Sequence, residues 1–114
     1  MNNKNKLTVL WSSGDKEVFT KLVFPYCFNS MANYWWDEVS LIVWGPSEKL
    51  AAEDDEVQKN INQLVDSNIY VCACKWCSDK YNVSEKLTEI GVDVKFMGEP
   101  LTEVLRSGEK VLTF

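Results

Sequence analysis

The chain has 114 residues, 46% of them hydrophobic and 25% charged, with a formal net charge of −5. That is the length of one domain with a single core and the composition of an ordinary globular protein. The acidic balance argues against nonspecific nucleic-acid binding and against an anionic membrane surface, and no run of about 18 apolar residues exists to span a bilayer.

Residues 1–6 are polar and lack the apolar stretch of a signal peptide, so a cytoplasmic location is expected. Leu7 to Trp11 reads as a buried strand, and Ser12-Ser13-Gly14-Asp15 breaks it and caps a helix starting near Lys16. Val18 to Met31 is apolar on almost every face, so it should be covered on both sides, by the sheet and by another subunit. Pro25 falls inside it and should kink it.

Val39 to Trp44 is the second strand, ended by Gly45-Pro46, and Ser47 to Ala52 forms a short turn of helix. Val57, Ile61, Leu64 and Val65 mark one face of an amphipathic helix. The acids Glu53 to Glu56 crowd its first turn, where they oppose the positive end of the helix dipole, so they need no metal or substrate. Ile69 to Cys72 is the third strand, followed by a helix, and a further helix from Ser84 to Ile90 ends at Gly91. Val92 to Phe96 is the fourth strand, Pro100 to Arg106 a short helix, and Lys110 to Phe114 a last strand. This alternation calls for a doubly wound, three-layer α/β/α domain over residues 1–114, with a five-stranded parallel sheet.

Three of the four cysteines fall within Cys72-Ala73-Cys74-Lys75-Trp76-Cys77, at the junction of the third strand and the next helix. Open α/β sheets place their chemistry at such junctions. The chain has no histidine, which leaves thiols as its best reactive groups. Cys74 should lie just past the strand, where unpaired helix N–H groups favour a thiolate. Lys75 adds positive charge unless it turns to solvent, and Cys77 lies three residues on, on the same helical face as Cys74.

Four readings compete. Cys74 is a nucleophile or sulfur carrier; Cys74 and Cys77 are a redox pair; Cys72, Cys74 and Cys77 hold zinc; or the thiols are inert core. The zinc reading lacks a second knuckle, since the remaining Cys27 lies in a predicted helix and reads as core. No metal or cofactor is therefore expected. The redox pair lacks a tryptophan immediately before Cys74, unlike thioredoxin. Ser12, Ser13 and Gly14 follow the first strand and offer backbone N–H groups to a small anion, or serve merely as a turn. Without a Gly-x-Gly-x-x-Gly or Walker pattern, no nucleotide is expected. Trp76 either walls off a sulfur site or fills space. Tyr34-Trp35-Trp36 cannot all face inward from a helix end, so at least one should pack in a subunit interface.

From Leu7 to Phe114 the chain resembles the DsrE/DsrF-like family of small sulfur-relay proteins. The carriers are Leu-Thr-Val-Leu-Trp-Ser-Ser-Gly-Asp over 7–15, Trp36-Asp37-Glu38-Val39 entering 41–47, and the Cys-x-x-Cys segment leading to Tyr81-Asn82-Val83. The stretches Met97 to Thr102 and Val111 to Phe114 also fit. The resemblance implies a doubly wound domain assembling as trimers or hexamers, homomeric or with related subunits. In the sulfur-transferring members a cysteine eight residues before a turn glycine carries a persulfide. Asn82 holds that turn position here, which points to Cys74. The implied function is a sulfurtransferase-like carrier that takes sulfur from a donor protein on Cys74 and passes it to an acceptor thiol. Cys72 and Cys77 are additions to the basic pattern and leave a redox or metal variant open. A noncatalytic oligomeric ligand-binding or assembly module remains the alternative.

Overall fold

The structure is a computed structural model that describes residues 5–114; most of the polar stretch in which no signal peptide was found, residues 1–4, lies outside them. Five strands form one sheet in the order β4-β3-β2-β1-β5. They are β1 (Lys6–Trp11), β2 (Glu38–Val43), β3 (Tyr70–Cys74), β4 (Asp93–Lys95) and β5 (Lys110–Thr113). Every pairing is parallel, with Leu41 opposite Val71, Cys72 opposite Asp93 and Leu7 opposite Lys110. The predicted architecture is the observed one.

The first connection is a helical segment over 16–32. Its α1 (Lys16–Val18) and α2 (Phe24–Ala32) flank a π turn, Phe19–Val23, that ends immediately before Phe24-Pro25. A proline has no N–H to return to the preceding turn, and the wider π turn relieves the mismatch where a kink was expected. Phe19, Val23, Cys27 and Ser30 are buried along this segment, whereas Leu22 is exposed. One face, not every face, is covered by the chain itself.

Helix α3 (Pro46–Glu53) makes two full turns where a short one was expected, and α4 (Asp55–Asp66) follows at once. Asp54 caps α4 by accepting from the Val57 amide at 3.0 Å and pairs with Lys16 at 3.1 Å. The acidic run thus starts its helix, with Asp54 doing so through a cap as well as through its charge. Beyond β3 come α5 (Lys75–Tyr81) and α6 (Ser84–Glu89), then α7 (Gly98–Arg106) after β4.

The main core lies on one face of the sheet, where Val9, Leu41, Val43 and Val71 meet Phe19, Val23, Ile61 and Leu64. Each such side chain contributes about 1.5–3 kcal/mol of burial. The other face carries a smaller cluster, Ile42, Cys72, Cys74 and Met97, packed by Leu10, Trp44 and Leu101 of α7. It is only partly roofed, and Tyr70 and Leu105 stay exposed. Because all strands are parallel, the loops after β1, β2, β3 and β4 share one edge. The strand order reverses beside β1, where β5 inserts, and that crevice is filled by the chain: the Ser12 and Ser13 amides donate to the Phe114 carbonyl oxygen at 2.7 and 3.3 Å.

Candidate thiol site

Cys74 is the last residue of β3 and the N-cap of α5, with extended φ and ψ of −75° and 119°. The strand thus runs two residues beyond its predicted end at Cys72, and Cys74 stands within it, not past it. Apolar neighbours on both sides, Val71 and Ala73 towards the main core and Cys72 towards Met97, hold the extended backbone. Cys74 exposes 4% of its surface. Cys77, in the first turn of α5, is half-buried, and it is the most accessible of the four thiols. All four are free.

Burial pushes the Cys77 thiol above its ordinary range, and the Glu48 and Cys74 charges push it further; the Gly45 amide and the Trp44 indole act in the opposite direction. The thiol therefore faces the loop that joins β2 to α3. Gly45 supports that loop with φ of 85°, a conformation that favours glycine. Ser47 ties it down. Its Oγ donates to the Trp11 carbonyl at 2.6 Å and accepts from the Trp44 amide at 3.1 Å.

Glu48, which sequence reasoning passed over, is fully buried beside this loop, and neither carboxylate oxygen has a hydrogen-bond partner. Burial raises its carboxyl to about 7, with the Gly45 and Cys74 amides restraining the rise. The only sequence signal is position: Ser47, Glu48 and Ala51 share a helix face that is otherwise small and apolar.

The other expected site residues lie apart from the thiols' immediate chemistry. Lys75 places its ammonium on Asp79 at 2.8 Å and over the Phe96 ring, so its charge is already paired. Trp76 is 60% exposed with Lys80 above its ring, and so neither walls off the thiols nor fills the core. The Ser12 and Ser13 amides serve Phe114, Ser13 Oγ accepts from the Asp15 amide, and Gly14 lies against Pro46, so the expected anion cradle is committed to contacts within the chain. Cys72 donates weakly to the Leu41 carbonyl and is pushed up to about 12 by burial, as is Cys27. Cys72 also lines a cavity of about 200 Å³ with Lys6, Tyr70, Lys95 and Met97. Among the described residues no group of three or more Cys, Asp or Glu is placed to hold a metal ion. No helix among them is long and apolar enough to cross a membrane.

Asn82 ends α5 in the left-handed conformation, φ 64° and ψ 39°, with its amide donating to the Asp79 carbonyl. No protein-family model matches the chain, and no curated protein matches it. Among solved structures, a conserved protein of unknown function, BT1422 from Bacteroides thetaiotaomicron, is 38% identical over 96% of this chain and 95% of its own, with a TM-score of 0.95. The chain belongs to the family of that protein. At 16% identity and a TM-score of 0.77, MTH1491 from Methanobacterium thermoautotrophicum, also of unknown function, shares the fold over 98% of this chain and 100% of its own. The ychN protein of E. coli does so at 18% identity and a TM-score of 0.65, over 96% and 99%.

Proposed function

We propose that the chain is a sulfur carrier of the DsrE/DsrF-like kind, accepting sulfur on Cys74 and passing it to a partner thiol. The observation that carries the reading is the placement of Cys74: it closes β3, caps α5, and stands eight residues before Asn82, whose left-handed backbone matches the turn glycine of sulfur-carrying members. The Cys74 thiolate attacks the outer sulfur of a donor persulfide, forming a new S–S bond while the donor leaves as a thiolate. A partner thiolate then attacks the outer sulfur on Cys74 and restores the Cys74 thiolate.

The exposed rings of Trp76 and Phe96 near the thiol edge give a donor or acceptor protein an apolar surface. Tyr34, 90% exposed at the end of α2, and the partly roofed sheet face beneath α7 supply contacts for a trimer or hexamer of this chain or of related subunits in the cytoplasm. Those same surfaces favour the second reading, an assembly or ligand-binding module without chemistry, because Cys27, Cys72 and Cys74 are buried.

Incubation of the native protein with polysulfide, followed by mass measurement, separates the two. Labile, reductant-sensitive sulfur that is lost in Cys74→Ser supports the carrier. Full uptake by Cys74→Ser overturns the assignment.

A further inference from the structure

The sheet face beneath α7 departs from what a parallel sheet ordinarily carries, which is apolar residues on both sides. One row across three adjacent strands is hydroxylic: Thr8 stands opposite Ser40, and Ser40 opposite Tyr70. The neighbouring row, with Ile42 opposite Cys72, is apolar and packs against Met97 and Leu101. Helix α7 thus meets the apolar row. Over the hydroxyl row it leaves the cavity of about 200 Å³, bordered from α7 by Pro100 and Val104.

Only 5% of Thr8 is exposed, and it borders this cavity. Neither its hydroxyl nor that of Ser40 has a hydrogen-bond partner among the described residues. Packing alone would be served by valine, which buries no unpaired hydroxyl. Lys95 borders the cavity from β4, on the side away from Thr8. Its ammonium lies 3.9 Å from Asp93, beyond hydrogen-bond distance, and 5.2 Å from the centre of the Tyr70 ring. Asp93 accepts instead from the Tyr70 hydroxyl. The other charges at the cavity are engaged elsewhere: Lys6 pairs with Glu38 at 3.8 Å, and Glu109 accepts from Ser107. Cys72, the thiol on its wall, donates weakly to the Leu41 carbonyl and is pushed up to about 12 by burial, so the cavity is built to bind and not to react.

We propose that this cavity binds a small organic acid carrying a second oxygen. Its carboxylate accepts from the Lys95 ammonium, its second oxygen accepts from Thr8 and Ser40, and its apolar body lies against Ile42, Met97 and Val104. The free polar groups are donors, which selects an anion with acceptors at both ends over a cation or a hydrocarbon. The volume of about 200 Å³ exceeds the roughly 150 Å³ that takes a benzene ring, so one ring or branched chain with a carboxylate fits. The site involves no thiol chemistry and is independent of the sulfur-carrier reading, which its failure leaves untouched.

The test is a titration of the isotope-labelled native protein with para-hydroxybenzoate, followed by amide NMR. The largest shifts should fall on Thr8, Ser40, Tyr70 and Lys95. Benzoate, which lacks the second oxygen, and para-hydroxybenzyl alcohol, which lacks the charge, should each bind at least about tenfold more weakly. Thr8→Val should weaken para-hydroxybenzoate at least about fivefold, leave benzoate unchanged, and unfold at the same or a higher temperature, since an unpaired hydroxyl is removed. Lys95→Met should abolish the preference over the alcohol. Amides of the cavity that do not shift at millimolar concentration, the result if a second copy of the chain fills it, overturn the site. An equal response to all three compounds, or an affinity unchanged in folded Thr8→Val and Lys95→Met, overturns it as well.

Discussion

Glu48 on α3 is fully buried with both carboxylate oxygens unpartnered, whereas Cys77 on α5, the helix that packs against α3, is half-buried. The carboxyl is the more deeply buried of the two, and so its protonation is the more strongly tied to folding.

That tie predicts how stability depends on pH. The folded carboxyl titrates near 7, against 4.5 for an ordinary glutamate. The native state therefore holds this proton more tightly than the unfolded chain. The resulting stability is fully present below the unfolded value and is lost as pH rises through about 7. The difference corresponds to roughly 3 kcal/mol. Urea unfolding at a series of pH values should show this decline in the wild type and a flatter profile in Glu48→Gln.

The thiols should divide by burial. Cys27 and Cys72, both pushed up to about 12, should resist alkylation at neutral pH until the protein unfolds. Cys77 should react first. Timed alkylation with peptide mapping measures the order, and early labelling of Cys27 would contradict the core described here.

Ser47 is the anchor of the loop facing Cys77. Ser47→Ala removes a buried hydroxyl that both donates and accepts, leaving the Trp11 carbonyl and the Trp44 amide without it. Denaturant unfolding should show a loss of about 1–3 kcal/mol.

At Asn82 the left-handed backbone sets the cost of substitution. Asn82→Val should lose about 1–2 kcal/mol, because a β-branched side chain clashes with the following carbonyl. Asn82→Gly should be close to neutral. Thermal unfolding of the two variants distinguishes a turn requirement from a side-chain contact.

Much of this fold is legible in the chain because its signals are local. Leu7 to Trp11 and Val39 to Val43 are short, mostly apolar runs bounded by turn residues, as strands of a parallel sheet need, and Gly91 marks the end of α6. The extension of β3 to Cys74 was hidden, because cysteine and alanine are small and apolar in either a strand or a helix start. The π turn before Pro25 was hidden for a related reason: a proline announces a disturbed ladder but not how the chain absorbs it. The thiols of the site were legible by spacing, whereas Glu48 was not. Its inward turn depends on Ser47 reaching Trp11, 36 residues away, and no local pattern encodes that bond.

The most direct measurement is sulfur loading of Cys77→Ser, in which the most accessible thiol is removed and Cys74 remains. After brief exposure to polysulfide and blocking of free thiols, site-resolved mass spectrometry should find labile, reductant-sensitive sulfur on Cys74. Sulfur absent from Cys74 in this variant, with the folded protein otherwise intact, would contradict the account.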